Sequence, residues 1–448
     1  MTPLSTSFNL LSKARRTMHL FPQEILDAIV DWVQFKADLE SLSLTHSTFL
    51  PRTRWHLFFS ISLGYGKTYA TALNYGELTV IDRSHVQHDS LSAYLANFRS
   101  CIAQNQMIVS SVHRLSFFLV PDSDHGHDMD EIPEYLPFTN LLTLQARIAH
   151  LYHDVIEART IQRWRLPRIA ALIQNNPCLE HLAIDTCNLE VPSWDVLFSH
   201  ISGLKQLHTL VLCDAVIATQ VPDFLDEGAL SIDSPVRESQ TMIQSLKRLY
   251  LEGVEPELER EFISTSRYFS ILHLDALALR CHRSLRHMWG HRAVLANCAH
   301  SITSLTISSA DNLPPQSLPA FPLPSFPQNI LRGLIFSRLT HFQFECRYGY
   351  TLLLGDIMNW LTEDKVPSLQ HLHLTAHSLP VAACPSIDHQ LCRLSSSVPS
   401  LQLITADFTI SEYGFTSQEG TKCLETNFPE SFGTGILKYR QMLEWWQI

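Results

Sequence analysis

The chain has 448 residues and a mass of 51.0 kDa, about three times a common domain length, so it holds several domains or one extended repeat array. Apolar residues make up 45% and charged residues only 17%, which excludes a disordered chain and favours extensive burial. The net charge of −11 repels polyanions and excludes the electrostatic footprint of a nucleic-acid binder.

Ten cysteines are scattered singly with no C-x-x-C pair, which fits neither a zinc ribbon nor a disulfide framework. A reducing compartment, cytoplasm or nucleus, is the expectation. The first 20 residues carry Lys13, Arg15 and Arg16 and no acid, but their apolar stretches are too short and interrupted for a signal peptide. No apolar run is long enough to span a bilayer, so no membrane partner is expected.

Residues 1–17 read as a tail. Pro22 sits where the first turn of a helix needs no N–H donor, and Glu24 favours the positive end of the helix dipole. Ile25, Leu26, Ile29, Val30 and Val33 then recur on one helical stripe. The stretch Asp38 to Leu44 is ambiguous, because Leu39, Leu42 and Leu44 suit either a helix or the end of a strand alternation. Phe49, Trp55, Leu57 and Phe58 predict a short helix running into a strand at 59–63.

Together, Phe21-Pro22-x-Glu24-Ile25-Leu26-x-x-Ile29, Asp38-Leu39-x-x-Leu42-x-Leu44 and Phe49 resemble the F-box motif. The following Pro51-Arg52-x-Arg54-x-His56-Leu57-Phe58 resembles the variant common in fungal F-box proteins. The resemblance covers residues 18–63 and implies a three-helix F-box. It further implies docking on the Skp-type adaptor of a cullin-RING ubiquitin ligase, with Phe21, Pro22, Ile25, Ile29, Leu42, Leu44 and Phe49 as interface or support. Phe21 stands where leucine is usual and Phe49 where tryptophan is usual; both keep bulk and apolarity. A plain helical cap closing a downstream core is the alternative reading of the same stripe.

After a linker and capping helix over 64–110, a template apolar-x-x-apolar-x-apolar returns. It occurs at Leu179-Leu182-Ile184, Leu207-Leu210-Leu212, Leu246-Leu249-Leu251, Phe269-Leu272-Leu274, Ile302-Leu305-Ile307, Leu339-Phe342-Phe344 and Leu369-Leu372-Leu374. Start-to-start spacings are 28, 39, 23, 33, 37 and 30 residues. Helical periodicity fills the intervals at 168–173, 194–201, 258–263, 285–295 and 352–361, so strands alternate with helices and a parallel sheet is expected. Stacked units of this kind bury one continuous core.

Residues 111–409 resemble the repeat region of leucine-rich-repeat F-box proteins, which implies an irregular α/β solenoid that holds a protein substrate. The consensus asparagines are mostly absent; Cys187-Asn188 and Cys213 are stand-ins. A doubly wound α/β domain gives the same alternation and stays open. Residues 410–448 read as a C-terminal cap or tail, and the proline- or acid-rich stretches 122–137, 222–235 and 313–327 as loops.

Candidate chemistry is thin. Gly64-Tyr65-Gly66-Lys67-Thr68 ends like a phosphate loop but has Ile61 where the motif needs glycine. His125 and His127 lie in an acidic loop with no ligand from a second element, and His287 and His291 have zinc-hydrolase spacing with Met288 in place of the catalytic glutamate. His371 and His373 share one strand face and should point away from Leu372, as contact residues or solvated ones. No cofactor is expected. Three readings follow: a substrate receptor of a Skp-cullin-F-box ligase, a repeat-based scaffold outside any ligase, and an α/β enzyme with an unrecognised site.

Overall fold

The computed structural model describes residues 22–33, 36–65, 100–119, 136–148, 165–166, 169–185, 188–189, 194–213, 216–217, 246–252, 270–281, 285–309, 330–346, 351–362, 364–376, 379–408 and 417–439. The chain divides into two units, Met1–Val155 and Ile156–Ile448.

The first unit opens with three short helices, α1 (Gln23–Asp31), α2 (Lys36–Thr45) and α3 (Leu50–Phe58). Pro22 is the cap residue of α1, with extended dihedrals, so the helix begins one residue after the proline and not on it. The ambiguous leucine stretch is helical. Its hydroxyls fold back onto the helix, Ser41 Oγ donating to the Ala37 carbonyl at 2.8 Å and Ser43 Oγ to that of Glu40 at 2.6 Å, so no polar group competes for a strand ladder. Leu26, Val30, Leu39 and Phe49 form a common core, with Val33, Leu42 and Leu57 packed against it. A core this small supplies little stability alone.

The chain continues directly into β1 (Ser60–Tyr65), then α4 (Gln106–Ser111), β2 (Arg114–Leu119) and β3 (Thr143–Ile148); β1, β2 and β3 pair in parallel and in that order. The Phe59 carbonyl accepts from both His113 and Arg114 N–H at 2.9 Å. The Phe59 and His113 rings stack at 5.1 Å, Trp55 lies 4.8 Å from Phe59, and the Arg52 guanidinium sits 4.5 Å over Trp55, so α3, β1 and β2 share one aromatic seam.

The second unit runs β4 (Arg165–Leu166), α5 (Ile169–Asn175), β5 (His181–Asp185), β6 (Asn188–Leu189), α6 (Trp194–Ser202), β7 (Thr209–Cys213), β8 (Val216–Ile217), β9 (Arg248–Glu252) and β10 (Ala276–Cys281). It continues with α7 (Leu285–Cys298), β11 (Ser304–Ser309), β12 (His341–Cys346), α8 (Thr351–Leu361), β13 (His371–Ala376), α9 (Cys384–Ser397), β14 (Leu403–Phe408), α10 (Ser417–Asn427), α11 (Pro429–Gly433) and β15 (Leu437–Tyr439). Strands β5, β7 and β9 to β15 form a parallel sheet in chain order, and β4, β6 and β8 pair separately. This is an α/β fold. Among the described strands the order never reverses, whereas a doubly wound sheet requires a reversal.

The register is carried by one repeated link. At each strand entry a single carbonyl accepts two consecutive N–H groups of the next unit: Glu180 from His208 and Thr209, His208 from Lys247 and Arg248, Lys247 from Asp275 and Ala276, Asp275 from Thr303 and Ser304. The series continues through Thr303, Thr340 and Gln370. Hydroxyls reinforce it, with Thr303 Oγ1 donating to the Asp275 carbonyl at 3.0 Å and Thr340 Oγ1 to that of Thr303 at 3.1 Å. Six of the seven template triplets fall at a strand and its entry, with every member buried.

The fourth triplet needs correction. The strand does not fall on Phe269-Leu272-Leu274; it is β10, whose triplet is Leu274-Leu277-Leu279. The text carries both matches, offset by five residues, and the carbonyl link from Lys247 to Asp275 and Ala276 selects the second, leaving Leu272 48% exposed. With this shift the spacings from Leu246 to Leu274 and from Leu274 to Ile302 both become 28 residues, the same as from Leu179 to Leu207. The expected helices at 168–173, 194–201, 285–295 and 352–361 correspond to α5, α6, α7 and α8, while 258–263 lies outside the described residues.

The carboxyl-terminal end is fastened by one buried side chain. Asp388 on α9 accepts from Glu430 N–H at 2.9 Å, Ser431 N–H at 2.9 Å and Ser431 Oγ at 2.5 Å, satisfying the first donors of α11. Gly435, at φ 73°, turns the chain into β15, which pairs with β14.

Candidate interaction surfaces

On α1 the apolar stripe resolves into two parallel lines one residue apart. Leu26, Val30 and Val33 face the helical core, while Pro22, Ile25, Ile29 and Trp32 follow the outer line at offsets that keep them on one face. Ile25 is 48% exposed, Ile29 49% and Trp32 84%. On α2, Leu44 is 88% exposed, Leu42 is half-buried and Leu39 is buried. Of the seven residues carried over from the resemblance, Pro22, Ile25, Ile29 and Leu44 are therefore open to a partner. Leu42 and Phe49 support the core, and Phe21 lies outside the described residues. Trp32, more exposed than Ile25 and Ile29, lies outside the F-box-like motif. Extending the helical spacing one turn past Ile29 was the signal that finds it.

A charged clamp holds α1 against α3. Arg52 donates to both Asp31 oxygens, from Nε at 2.6 Å and from a terminal nitrogen at 2.9 Å, and His56 Nε2 lies 2.7 Å from Oδ1. These hydrogen bonds, Arg52 first, pull the Asp31 carboxyl down to about 2 and raise the Arg52 guanidinium. Both side chains stay partly solvated, so the clamp orients α1 more than it stabilises the unit.

The second surface is the face of the second unit's sheet that points away from the template leucines. Its first row, by register, is His181, Thr209, Arg248, Ala276, Ser304, His341, His371 and Leu403. No carboxylate occurs in it. In the next row Val211, Tyr250 and Ala278 are buried in a small apolar cluster with Cys213. Further along that row Thr306, Gln343, His373 and Thr405 replace them.

His371 and His373 do point away from the buried Leu372. The His341 and His371 rings stack at 4.7 Å, and burial first, then the His371 charge, lowers the basicity of His341. His373 is fixed by Thr405 Oγ1 at 2.6 Å from Nδ1 and Thr375 Oγ1 at 3.3 Å from Nε2. The stacked pair was missed in sequence because His341 and His371 are 30 residues apart and meet only through the β12 to β13 register.

His291 is buried, while the side chain of His287 and all of His125, His127 and Gly66 to Thr68 lie outside the described residues, as do the 222–235 and 313–327 loops. Among the described residues no group of three or more His, Cys, Asp or Glu is placed to hold a metal, and no helix is long and apolar enough to cross a membrane. No protein-family model matches the chain, and no curated protein matches it in sequence.

Proposed function

We propose that the chain is the substrate-recognition subunit of a Skp-cullin-F-box ubiquitin ligase. In this reading α1 to α3 are the F-box that docks on the adaptor, and the strand-helix units form an irregular leucine-rich-repeat-like solenoid that holds a protein substrate. The observation that carries the reading is the outer line of α1, where Pro22, Ile25, Ile29 and Trp32 remain exposed although the inner line is buried in the helical core. A plain cap would turn both lines inward. Covering Ile25, Ile29 and Trp32 would remove apolar surface worth about 4 kcal/mol from water.

Such a subunit works by tethering. Holding the substrate near an activated ubiquitin raises the effective concentration of its lysines, which requires a rigid surface and no catalytic group of its own. The strands in chain order and the repeated carbonyl link support a rigid array within the second unit.

Co-purification with a Skp-type adaptor tests the reading, with Pro22→Ala combined with Ile25→Asp as the variant. Adaptor capture by the wild-type chain and its loss in the variant are expected. Equal capture by both refutes the interface assignment.

A further inference from the structure

We propose that the outward face of β11 to β13 is a seat for carboxylate side chains of an acidic peptide segment, gripped by His341 and His371 of its first row and Gln343 of its second, and gripped more tightly once the stacked imidazole pair takes up a proton. Three observations carry this. The first row contains no acid from His181 to Leu403, in a chain whose net charge is −11, so a local absence of repulsion sits within a globally acidic molecule. His341 is exposed and stacks on the half-buried His371, which keeps two imidazole edges side by side at the surface. Gln343 Nε2, on the same face of β12, is buried with no hydrogen-bond partner among the described residues, a donor that an incoming oxygen would satisfy.

The proton arrangement fits an anionic guest. With its one hydroxyl proton donated to the Thr303 carbonyl at 3.1 Å, Thr340 Oγ1 is left as an acceptor 2.9 Å from His341 Nδ1, an arrangement that favours the tautomer with its proton on Nδ1. In the neutral ring Nε2 then accepts. A second proton turns Nε2 into a charged donor, the better partner for a carboxylate.

The surrounding charges are few. β11 contributes only Ser304, Thr306 and Ser308 to this face, β13 contributes His371, His373 and Thr375, and β14 contributes Leu403, Thr405 and Asp407. The acids Glu345 and Asp407 lie at the far end of the strands, Glu345 buried and Asp407 bonded to Tyr439. At the strand entries Asp275 pairs with Lys247 at 3.8 Å.

This inference rests on the sheet face being the capture surface and not on adaptor docking, and its test uses the free full-length chain, so the two readings fail separately. The probe is a fluorescein-labelled Glu-Gly repeat peptide of about ten residues, enough to cross four strands spaced about 4.8 Å apart, with a Gln-Gly peptide as control. Anisotropy titration should show affinity for the Glu peptide rising about tenfold between about pH 7.5 and about pH 5.5, with no such rise for the Gln peptide. His341→Gln with His371→Gln should abolish the rise, and Gln343→Leu should weaken binding at both pH values while leaving the unfolding transition in place. Absence of binding, equal binding of both peptides, a pH-independent affinity, or a double variant that behaves as wild type would each overturn the proposal.

Discussion

Replacing Asp388 by alanine should detach the carboxyl-terminal end of the sheet. Asp388 is 3% exposed and its carboxylate accepts three hydrogen bonds from Glu430 and Ser431, and Ser431 itself is wholly buried. Truncation leaves the Ser431 N–H and hydroxyl without an acceptor in a place water does not reach, at about 1 to 3 kcal/mol each. Glu430 is exposed, so its N–H finds water and adds little. The expected loss is therefore about 3 to 4 kcal/mol, against about 1 kcal/mol for Ser431→Ala, which removes the hydroxyl and leaves the backbone bonds intact. Urea unfolding followed by amide exchange is the suitable assay, because a chain of two units need not unfold in one step and exchange reports α11 and β15 directly. Equal losses for the two variants, or unchanged protection of β15 in Asp388→Ala, would refute the claim that this carboxylate anchors the last helix and strand.

Other consequences follow from the same geometry. Leu274→Ala should cost about 2 to 5 kcal/mol and Leu272→Ala less than about 0.5 kcal/mol in urea unfolding; the reverse order would place the strand on the Phe269-Leu272-Leu274 triplet. The Asp31 carboxyl, held near 2 against an ordinary 3.8, contributes stability that is fully present above pH 3.8 and is lost as pH falls toward 2. Because the group is partly solvated that contribution is about 1 kcal/mol or less; Asp31→Asn should be less stable than the wild type by this amount above pH 3.8, with the difference closing as pH falls toward 2 in an acid titration. Phe49→Ala should unfold the helical cluster, at about 3 to 5 kcal/mol, whereas Leu44→Ala, at 88% exposure, should leave it folded.

Much of the architecture is legible in the sequence because its signals are local. The template triplets mark strands since three residues in each must be buried, and proline followed by helical spacing marks α1. Where two local signals overlap, as at Phe269 to Leu279, only the link to the preceding unit decides. Units with small residues escaped for a different reason. Leu141-Leu144-Ala146 and Leu401-Ile404-Ala406 are fully seated triplets, but alanine in the third place weakens the apolar pattern. The surfaces were legible only in part. A stripe of five apolar residues on α1 reads as a single face, and its division into a buried line and an exposed line depends on where α2 and α3 lie. The pairing of His341 with His371, likewise, is a property of register across units.

The central claim is that the exposed line of α1 is a docking surface for a Skp-type adaptor. Binding of the full-length chain to the purified adaptor, measured by calorimetry with Ile25→Asp combined with Ile29→Asp as the comparison, tests it most directly. Both residues are half-exposed, so the variant should keep its helical fold. The account predicts a saturable complex for the wild-type chain and at least about a hundredfold weaker binding for the variant. Undetectable binding of the wild-type chain, or equal affinity for both, would contradict it.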